Sequence, residues 1–323
     1  MTDRTVLIRV PASVGNFGGA TGCAALALDA ALNVRASTRR DGTVSVRYFG
    51  ENGERVTRDS SNLAVRALQA ALEFAGRPFL GIEFEMYGSV PVGVGLGSST
   101  AAVWAGLLAA DRLYRLGLGE KILFDLAAAF ERRGDNLRAA WLGGFVASFE
   151  EDPSMVYRST AVPDDLMLSA VIPEIGSVQI REPGGLSLSP RDRSACFKRA
   201  RSLSGFLAQS GSREASELGE ILTGLAEKTV PGLDQALRLE ARGLQALFVC
   251  GSGPSIGILA PPAAAESVAK SVVDCLAWHG VGSTVAQFRA TNTGAREWNA
   301  NDTEIRLASP VGTDMLDRPS LPV

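Results

Sequence analysis

The stretch PVGVGLGSSTAAVWAGLL, Pro91 to Leu108, constrains this chain more than any other. It follows an alternating strand pattern, FLGIEFEMYGSV, and passes through three glycines into a run that reads as a helix opening near Ser98. The first N–H groups of a helix have no internal partner, and the aligned peptide dipoles place roughly half a positive charge there. Glycines at Gly93, Gly95 and Gly97 let the main chain approach a ligand without Cβ interference. The segment therefore reads as an anion site made of main chain, although it contains no lysine and no arginine. A Walker loop requires Gly-Lys-Ser/Thr, and Ser98 follows Gly97 here, so that reading fails. A dinucleotide fingerprint fails as well, because Ser98 stands at its third glycine. It also wants an acidic residue at a strand end roughly 20 positions on, whereas Asp111 falls inside the helix.

The 323 residues suffice for one large or two medium domains, and the formal net charge of −3 gives no global field to recruit nucleic acid. The short basic clusters RASTRR and FKRARS read as solvated faces. Cys23, Cys196, Cys250 and Cys275 show no paired spacing, and His279 is the only histidine. A structural zinc site and most triad chemistries are thereby excluded, and free thiols of this kind fit a reducing cytoplasm. MTDRTVLIRVPAS lacks the apolar core of a signal peptide. In the uncharged run Met86 to Ala110 only Ala101 to Ala110 is continuously apolar, too short to span a bilayer. The expectation is a soluble protein.

Along the chain, TVLIRVPAS reads as a strand and CAALALDAAL as either a helix or a buried strand. LNVRAS and TVSVRYFG read as a hairpin joined by Arg39-Arg40-Asp41-Gly42. SSNLAVRALQAALEFAG reads as a helix with a serine or aspartate cap, and GEKILFDLAAAFERRG as one ending at Gly134, before a return to strand in WLGGFVASFE. A polar stretch with two prolines, Asp152 to Asp165, marks a domain boundary. Beyond it, LMLSAVIPE, ALFVCGSGPSIGILA and GSTVAQFRAT supply strands, the last a closing one. PRDRSACFKRARSLSGFLAQ, ASELGEILTGLAEKT, GLDQALRLEARG and AAAESVAKSVVDCLAWHG supply helices. The mix predicts an α+β protein of two packed layers.

Four segments in order carry a family resemblance. Pro91, Gly95, Leu96, Gly97, Ser98, Ser99 and Ala101 match the P-x-x-x-G-L-G-S-S-x-A loop of the GHMP kinases. RVPASVGNFGGATG resembles the first motif of the homoserine kinase family within that superfamily. ERRGDNLRAAWLGGF is similar to its Glu-Gly-His-Pro-Asp-Asn segment, and CGSGPSIGIL to its third motif. SSNLAVRAL also resembles the segment whose asparagine lies near the adenine. The resemblance spans nearly the whole chain. It implies a two-domain GHMP kinase fold, with an N-terminal ribosomal-S5-like nucleotide-binding domain (1–155) and a C-terminal ferredoxin-like α/β sandwich (156–323).

The same resemblance implies the site. Gly93, Gly95, Gly97, Ser98 and Ser99 would cradle the phosphates of ATP, with Asn62 beside the adenine; on its own, an asparagine there reads equally as a helix cap. Ser99 and Glu131 would hold Mg²⁺, a hard cation that takes oxygen ligands. Asn16 and Asn136 would contact the acceptor, with Gly251, Ser252 and Gly253 closing the site. Because Asn136 cannot take a proton, the implied mechanism is direct in-line attack with electrostatic assistance. Asp135 is the neighbouring carboxylate that would serve as a base if it turned inward. A small-molecule partner, no nucleic acid, no membrane and a homodimer complete what is implied.

The departures concern the acceptor side. The family's substrate-contacting aspartate falls on Gly22, its His-Pro is replaced by Arg133-Gly134, and an arginine before the segment matching VPG falls on Ala226. Arg133 is a candidate substrate contact whose charge would favour an acceptor with an extra carboxylate or phosphate, and Arg181 is the candidate for another substrate arginine. The resulting expectation is an ATP- and Mg²⁺-dependent kinase of a small alcohol, with L-homoserine, on the route to threonine, as the first substrate. A kinase of another hydroxylated metabolite and a nucleotide-binding homologue without turnover stand beside it.

Overall fold

Strands β1 (Thr5–Gly15) and β2 (Ala24–Thr38) run antiparallel along almost their whole length, from Thr5 opposite Ser37 to Gly15 opposite Ala25. The register shifts between Pro11 and Ala12, where proline has no N–H to give to the ladder. The structure, a computed structural model, describes residues 4–131, 134–149, 156–174, 176, 178–180, 189–208, 228–241 and 246–298. CAALALDAAL is thus strand, and Ala24–Leu28 are buried because β2 is paired on both sides.

The chain continues through β3 (Val44–Phe49), α1 (Leu63–Phe74), β4 (Ile82–Gly88), α2 (Ser98–Tyr114), α3 (Glu120–Ala128), α4 (Gly134–Leu142), β5 (Phe145–Phe149) and β6 (Val156–Thr160). The expected hairpin does not form. β4 lies between β2 and β3, antiparallel to the first and parallel to the second. The Arg39–Gly42 connection bonds instead to the residues leading into β4, through Arg39 N–H to Gly81 O and Gly42 N–H to Leu80 O. The helix expected to end at Gly134 stops early, α3 ending at Ala128, and an unexpected helix, α4, starts at Gly134. At the end of α3 the backbone bonds tighten, with Ala129 N–H to Leu126 O and Phe130 N–H to Ala127 O.

The second half contains β7 (Met167–Pro173), β8 (Gln179–Ile180), α5 (Pro190–Ala208), β9 (Lys228–Thr229), α6 (Leu233–Ala236), β10 (Ala246–Val249), β11 (Ile256–Leu259), α7 (Pro262–Trp278), β12 (Ser283–Arg289) and β13 (Arg296–Trp298). The described residues of GLDQALRLEARG, up to position 241, form only the short α6, with three-residue turns at Arg238 and Leu239 after it. ASELGEILTGLAEKT lies outside the described residues, apart from its last two, in β9. The expected closing strand β12 is followed by β13, which returns to pair with β1, Leu7 opposite Trp298.

Seven strands form one sheet, in the order β13-β1-β2-β4-β3 with β5 and β6 branching from β2; four form a second, β10-β11-β7-β12. Helices α1 to α4 cover one face of the first sheet through Leu68, Leu72, Phe84, Trp104, Leu108 and Leu137. A second apolar layer, with Phe17, Leu26, Phe145, Leu168, Leu203 and Phe248, joins the two sheets and α5. Phe17 meets Phe145 and Phe248 edge-on at 5.7 and 5.4 Å. Helices α6 and α7 close the far side over Val171, Ile256, Val268, Val272 and Leu276. The described residues contain no helix long and apolar enough to cross a membrane.

Helices α1 and α2 approach closely at Gly106, where a Cβ would lie 2.1 Å from the Ala64 carbonyl oxygen. Gly106→Ala should therefore lower the unfolding free energy by about 1–3 kcal/mol, the usual range for overpacking a tight core. Urea denaturation followed by circular dichroism measures it.

Candidate active site

The loop between β4 and α2 lies against two other main chains. A Cβ on Gly97 would sit 2.5 Å from Ser13 O in β1, and one on Gly95 would sit 2.1 Å from Cys250 O. Both glycines are left-handed, with φ of 78° and 92°, so no other residue fits either the space or the conformation. Gly97 is the N-cap of α2 and supplies no side chain to it, which leaves the first-turn N–H groups of Ser98, Ser99 and Thr100 as helix-end donors. Pro91 and Leu96 are buried and brace the loop from behind, while Ser99 is exposed.

The turn after β10 closes on this loop. Ser255 N–H donates to Val94 O at 3.3 Å and Gly251 N–H to Gly15 O at 2.9 Å. Asn16, itself left-handed at φ 60°, donates from Nδ2 to Gly251 O at 2.6 Å and accepts from Gly22 N–H at 3.0 Å. Its amide thus ties the first motif to the third. Gly251, Ser252 and Gly253 form the turn itself, and Ser252 O accepts the Lys228 N–H at 2.8 Å.

Positive charge reaches the loop from elsewhere in the chain. The Lys228 ammonium donates to Gly93 O at 2.8 Å. The exposed Arg55 guanidinium lies 3.6 Å from where a Cβ on Gly93 would be. Beside them opens a cavity of about 290 Å³, walled by Leu32, Met86, Val90, Val92 and Ala102 and reaching Arg55, Asn62, Ser98 and Ser99. A mostly apolar cleft with a few convergent polar groups suits an aromatic ring joined to an anion. Asn62 lines it and also caps α1: Oδ1 accepts from Ala64 N–H at 2.9 Å and Nδ2 donates to Thr57 O at 2.7 Å. The cap is this asparagine, not the serine or aspartate expected.

On the other side of the loop stands the start of α4. Asp135 and Asn136 are both buried, and a Cβ on Gly15 would lie 3.4 Å from Asn136 Oδ1 and 3.6 Å from Asp135 Oδ2. Asn136 Nδ2 donates to Thr100 Oγ1 at 3.4 Å, and Thr100 Oγ1 donates to Glu131 Oε2 at 3.2 Å. Asn136 Oδ1 and Ser13 Oγ are buried without a hydrogen-bond partner among the described residues. Burial pushes the Tyr157 hydroxyl up to about 12, and the nearby Asp135 charge acts in the same direction. Leu137 O accepts from Trp104 Nε1 at 3.0 Å, which locks α4 onto α2 one turn beyond Thr100.

The expected residues Asn16, Asn62, Asp135, Asn136, Glu131, the loop glycines, Ser98, Ser99 and the Gly251–Gly253 turn therefore surround one loop. Arg133, Arg181 and Ala226 lie outside the described residues. Gly22 is described; it is left-handed at φ 68°, with no atom within 4 Å of where a Cβ would be. Sequence reasoning missed Thr100, Arg55 and Lys228. Thr100 is the unspecified position of the loop pattern, and the other two reach Gly93 only through the fold. Among the described residues no three His, Cys, Asp or Glu side chains gather as a metal cage.

Comparison with known proteins places this geometry among relatives. Residues 62–144 match the family model for the GHMP kinases N terminal domain. The chain is 31% identical over 255 residues to the homoserine kinase of Solibacter usitatus, covering 77% of this chain and 83% of that one. It is 27% identical over 306 residues to the homoserine kinase of Caldanaerobacter subterraneus subsp. tengcongensis, covering 92% and 96%. The crystal structure of homoserine kinase from Cytophaga hutchinsonii has the same fold, with a TM-score of 0.70 at 21% identity over 91% of this chain and 97% of that one.

The Asn62 cap gives a direct expectation. Asn62→Ala should lose about 0.5–2 kcal/mol of unfolding free energy. Asn62→Asp, which keeps the acceptor for Ala64 N–H, should lose less; chemical denaturation of the two variants compares them.

Proposed function

Because the chain belongs to the homoserine kinase family of the GHMP kinases, we propose that it transfers the γ-phosphoryl group of ATP to the hydroxyl of L-homoserine. The product is O-phospho-L-homoserine, on the route to threonine. Phosphoryl transfer asks a protein mainly for positioning and charge neutralisation, and the site is built for both. The helix-end N–H groups of Ser98, Ser99 and Thr100 hold phosphate oxygens. The cleft beside Asn62 takes the adenine, and Arg55 and Lys228 flank the loop with positive charge.

The acceptor stands at Asn136. Its Oδ1 accepts a hydrogen bond from the substrate hydroxyl and aims the oxygen at the phosphorus for in-line attack. As the P–O bond to ADP breaks, the hydroxyl proton passes to an oxygen of the transferred phosphoryl group and on to solvent, so no protein base is needed. Asp135 is buried beside Gly15, and in-line attack assigns it no proton to accept. The Asn16 amide supports the turn that closes the site. Mg²⁺ fits the donors at hand, because Glu131 and Ser99 offer the hard oxygens it prefers and the nucleotide supplies the rest; when bound it neutralises charge on the phosphates. A cytoplasmic homodimer belongs to the same reading and rests on family resemblance.

The observation that carries the proposal is the buried Asn136 Oδ1, lacking a partner among the described residues and two hydrogen bonds away from Glu131. The homoserine kinase relatives favour homoserine as the acceptor. The open space at Gly22 favours a second reading, in which the acceptor is another hydroxylated metabolite with more bulk or charge.

Coupled ADP release with Mg·ATP, with and without L-homoserine, tests both. Homoserine-dependent release supports the first reading. Nucleotide binding without stimulation by homoserine would overturn it and lead to an acceptor panel. In the active enzyme, Asn136→Ala should reduce kcat about 100-fold or more. Arg55→Ala should raise KM for ATP by about tenfold with a smaller effect on KM for the acceptor, as expected for one charge-assisted contact.

A further inference from the structure

The polarity of the hydrogen bonds at Thr100 determines which way Asn136 faces. Thr100 is buried in the first turn of α2, and its hydroxyl carries one proton. The hydroxyl donates through it to Glu131 Oε2, a carboxylate oxygen that only accepts, at 3.2 Å. The Thr100 oxygen can then only accept, so the Asn136 amide must turn its Nδ2 toward it, at 3.4 Å. Oδ1 is thereby left pointing at the Gly15 main chain, where it has no partner. The Trp104–Leu137 bond keeps the two helices in register next to this pair, so the Thr100 hydroxyl stays within reach of the amide it orients.

We propose that Thr100 is a positioning residue that couples the cation-holding carboxylate of Glu131 to the acceptor-holding amide of Asn136. This inference rests on the phosphotransferase reading above and adds to it a residue that the loop pattern leaves unspecified. The hydroxyl does two things. It orients the Glu131 carboxylate, as supporting hydrogen bonds commonly do for metal ligands. It also keeps Asn136 from flipping and presenting an N–H to a substrate hydroxyl that has its own proton to give. Cation and acceptor therefore bind cooperatively, and by linkage each strengthens the other by the same factor.

Thr100→Val removes the hydroxyl at nearly constant volume, and Thr100→Ser keeps the hydroxyl while removing the methyl. Melting curves first establish that each is folded; if the valine variant is not, Thr100→Ala takes its place. Two readouts follow, steady-state constants with Mg·ATP and L-homoserine, and Mn²⁺ affinity of the ATP complex by electron paramagnetic resonance. The valine variant should bind Mn²⁺ about tenfold more weakly. Its acceptor KM should rise and its kcat fall, together reducing kcat/KM by about tenfold, the effect of losing one oriented hydrogen bond. KM for ATP should change by less than about twofold, and serine should restore both readouts. In the wild type, homoserine should tighten Mn²⁺ binding, and the valine variant should lose that response.

Wild-type Mn²⁺ affinity and kcat/KM in the valine variant would overturn the proposal. So would a serine variant as impaired as the valine one, since that would assign the effect to methyl packing. If the wild type binds Mn·ATP but does not turn homoserine over, the acceptor assignment fails. The Mn²⁺ affinities of the two variants then decide the role of Thr100 by themselves.

Discussion

Everything at the site depends on a three-way contact between main chains. The loop before α2 rests on β1 at Ser13 and on the turn after β10 at Cys250, at distances that leave no space for a Cβ on Gly97 or Gly95. This contact aims the open N–H groups of α2 and brings the first and third motifs within hydrogen-bond reach of each other. Asn16 seals it with one amide that serves both partners. Because the loop's surroundings are backbone, its shape is insensitive to side-chain rotamers, which suits a site that must present fixed dipoles.

How charge is supplied follows from this arrangement. Where the loop packs flush against other main chains, at Gly95 and Gly97, it carries no side chain at all. Lysine and arginine instead arrive from β9 and from the segment before α1, and they meet on either side of Gly93. Positive charge at the loop thereby comes from both halves of the chain. The start of α4 follows a different plan, with a buried neutral amide at Asn136 and a buried carboxylate at Asp135, and open space lies at Gly22.

The parts of the site legible in the sequence are those whose physics is local. Three glycines, a serine pair and an apolar helix within twenty residues predict a loop entering a helix with an open N-terminus, and the structure places the helix start at Ser98 as expected. Asn62 was legible as an ambiguity between cap and ligand, and it does cap α1. Thr100, Arg55 and Lys228 were not legible, because each acts on a residue brought to it by the fold. The misread hairpin has the same cause. Asp41-Gly42 is a good local turn signal, but β4 pairs between the two strands only after α1 has carried the chain back. Helix α4 was missed because Gly134 read as the stop of the preceding helix and WLGGFVASFE as a return to strand, which left too short a run between them for a helix signal. Its stability comes from burial of Leu137, Ala139 and Ala140 and from the grip of Trp104.

The return of β13 to the edge of β1 has a consequence for biosynthesis. Leu7 pairs with Trp298, so the strand that opens the chain waits for nearly all of it before its outer edge is covered. During synthesis at several residues per second, β1 leaves the ribosome long before that partner exists. The nascent sheet must therefore spend many seconds with an uncovered border, of the sort that invites pairing with other chains. Beside that border stands Arg9, held by Asp29 of β2, and charged side chains at an uncovered edge discourage such pairing during the wait.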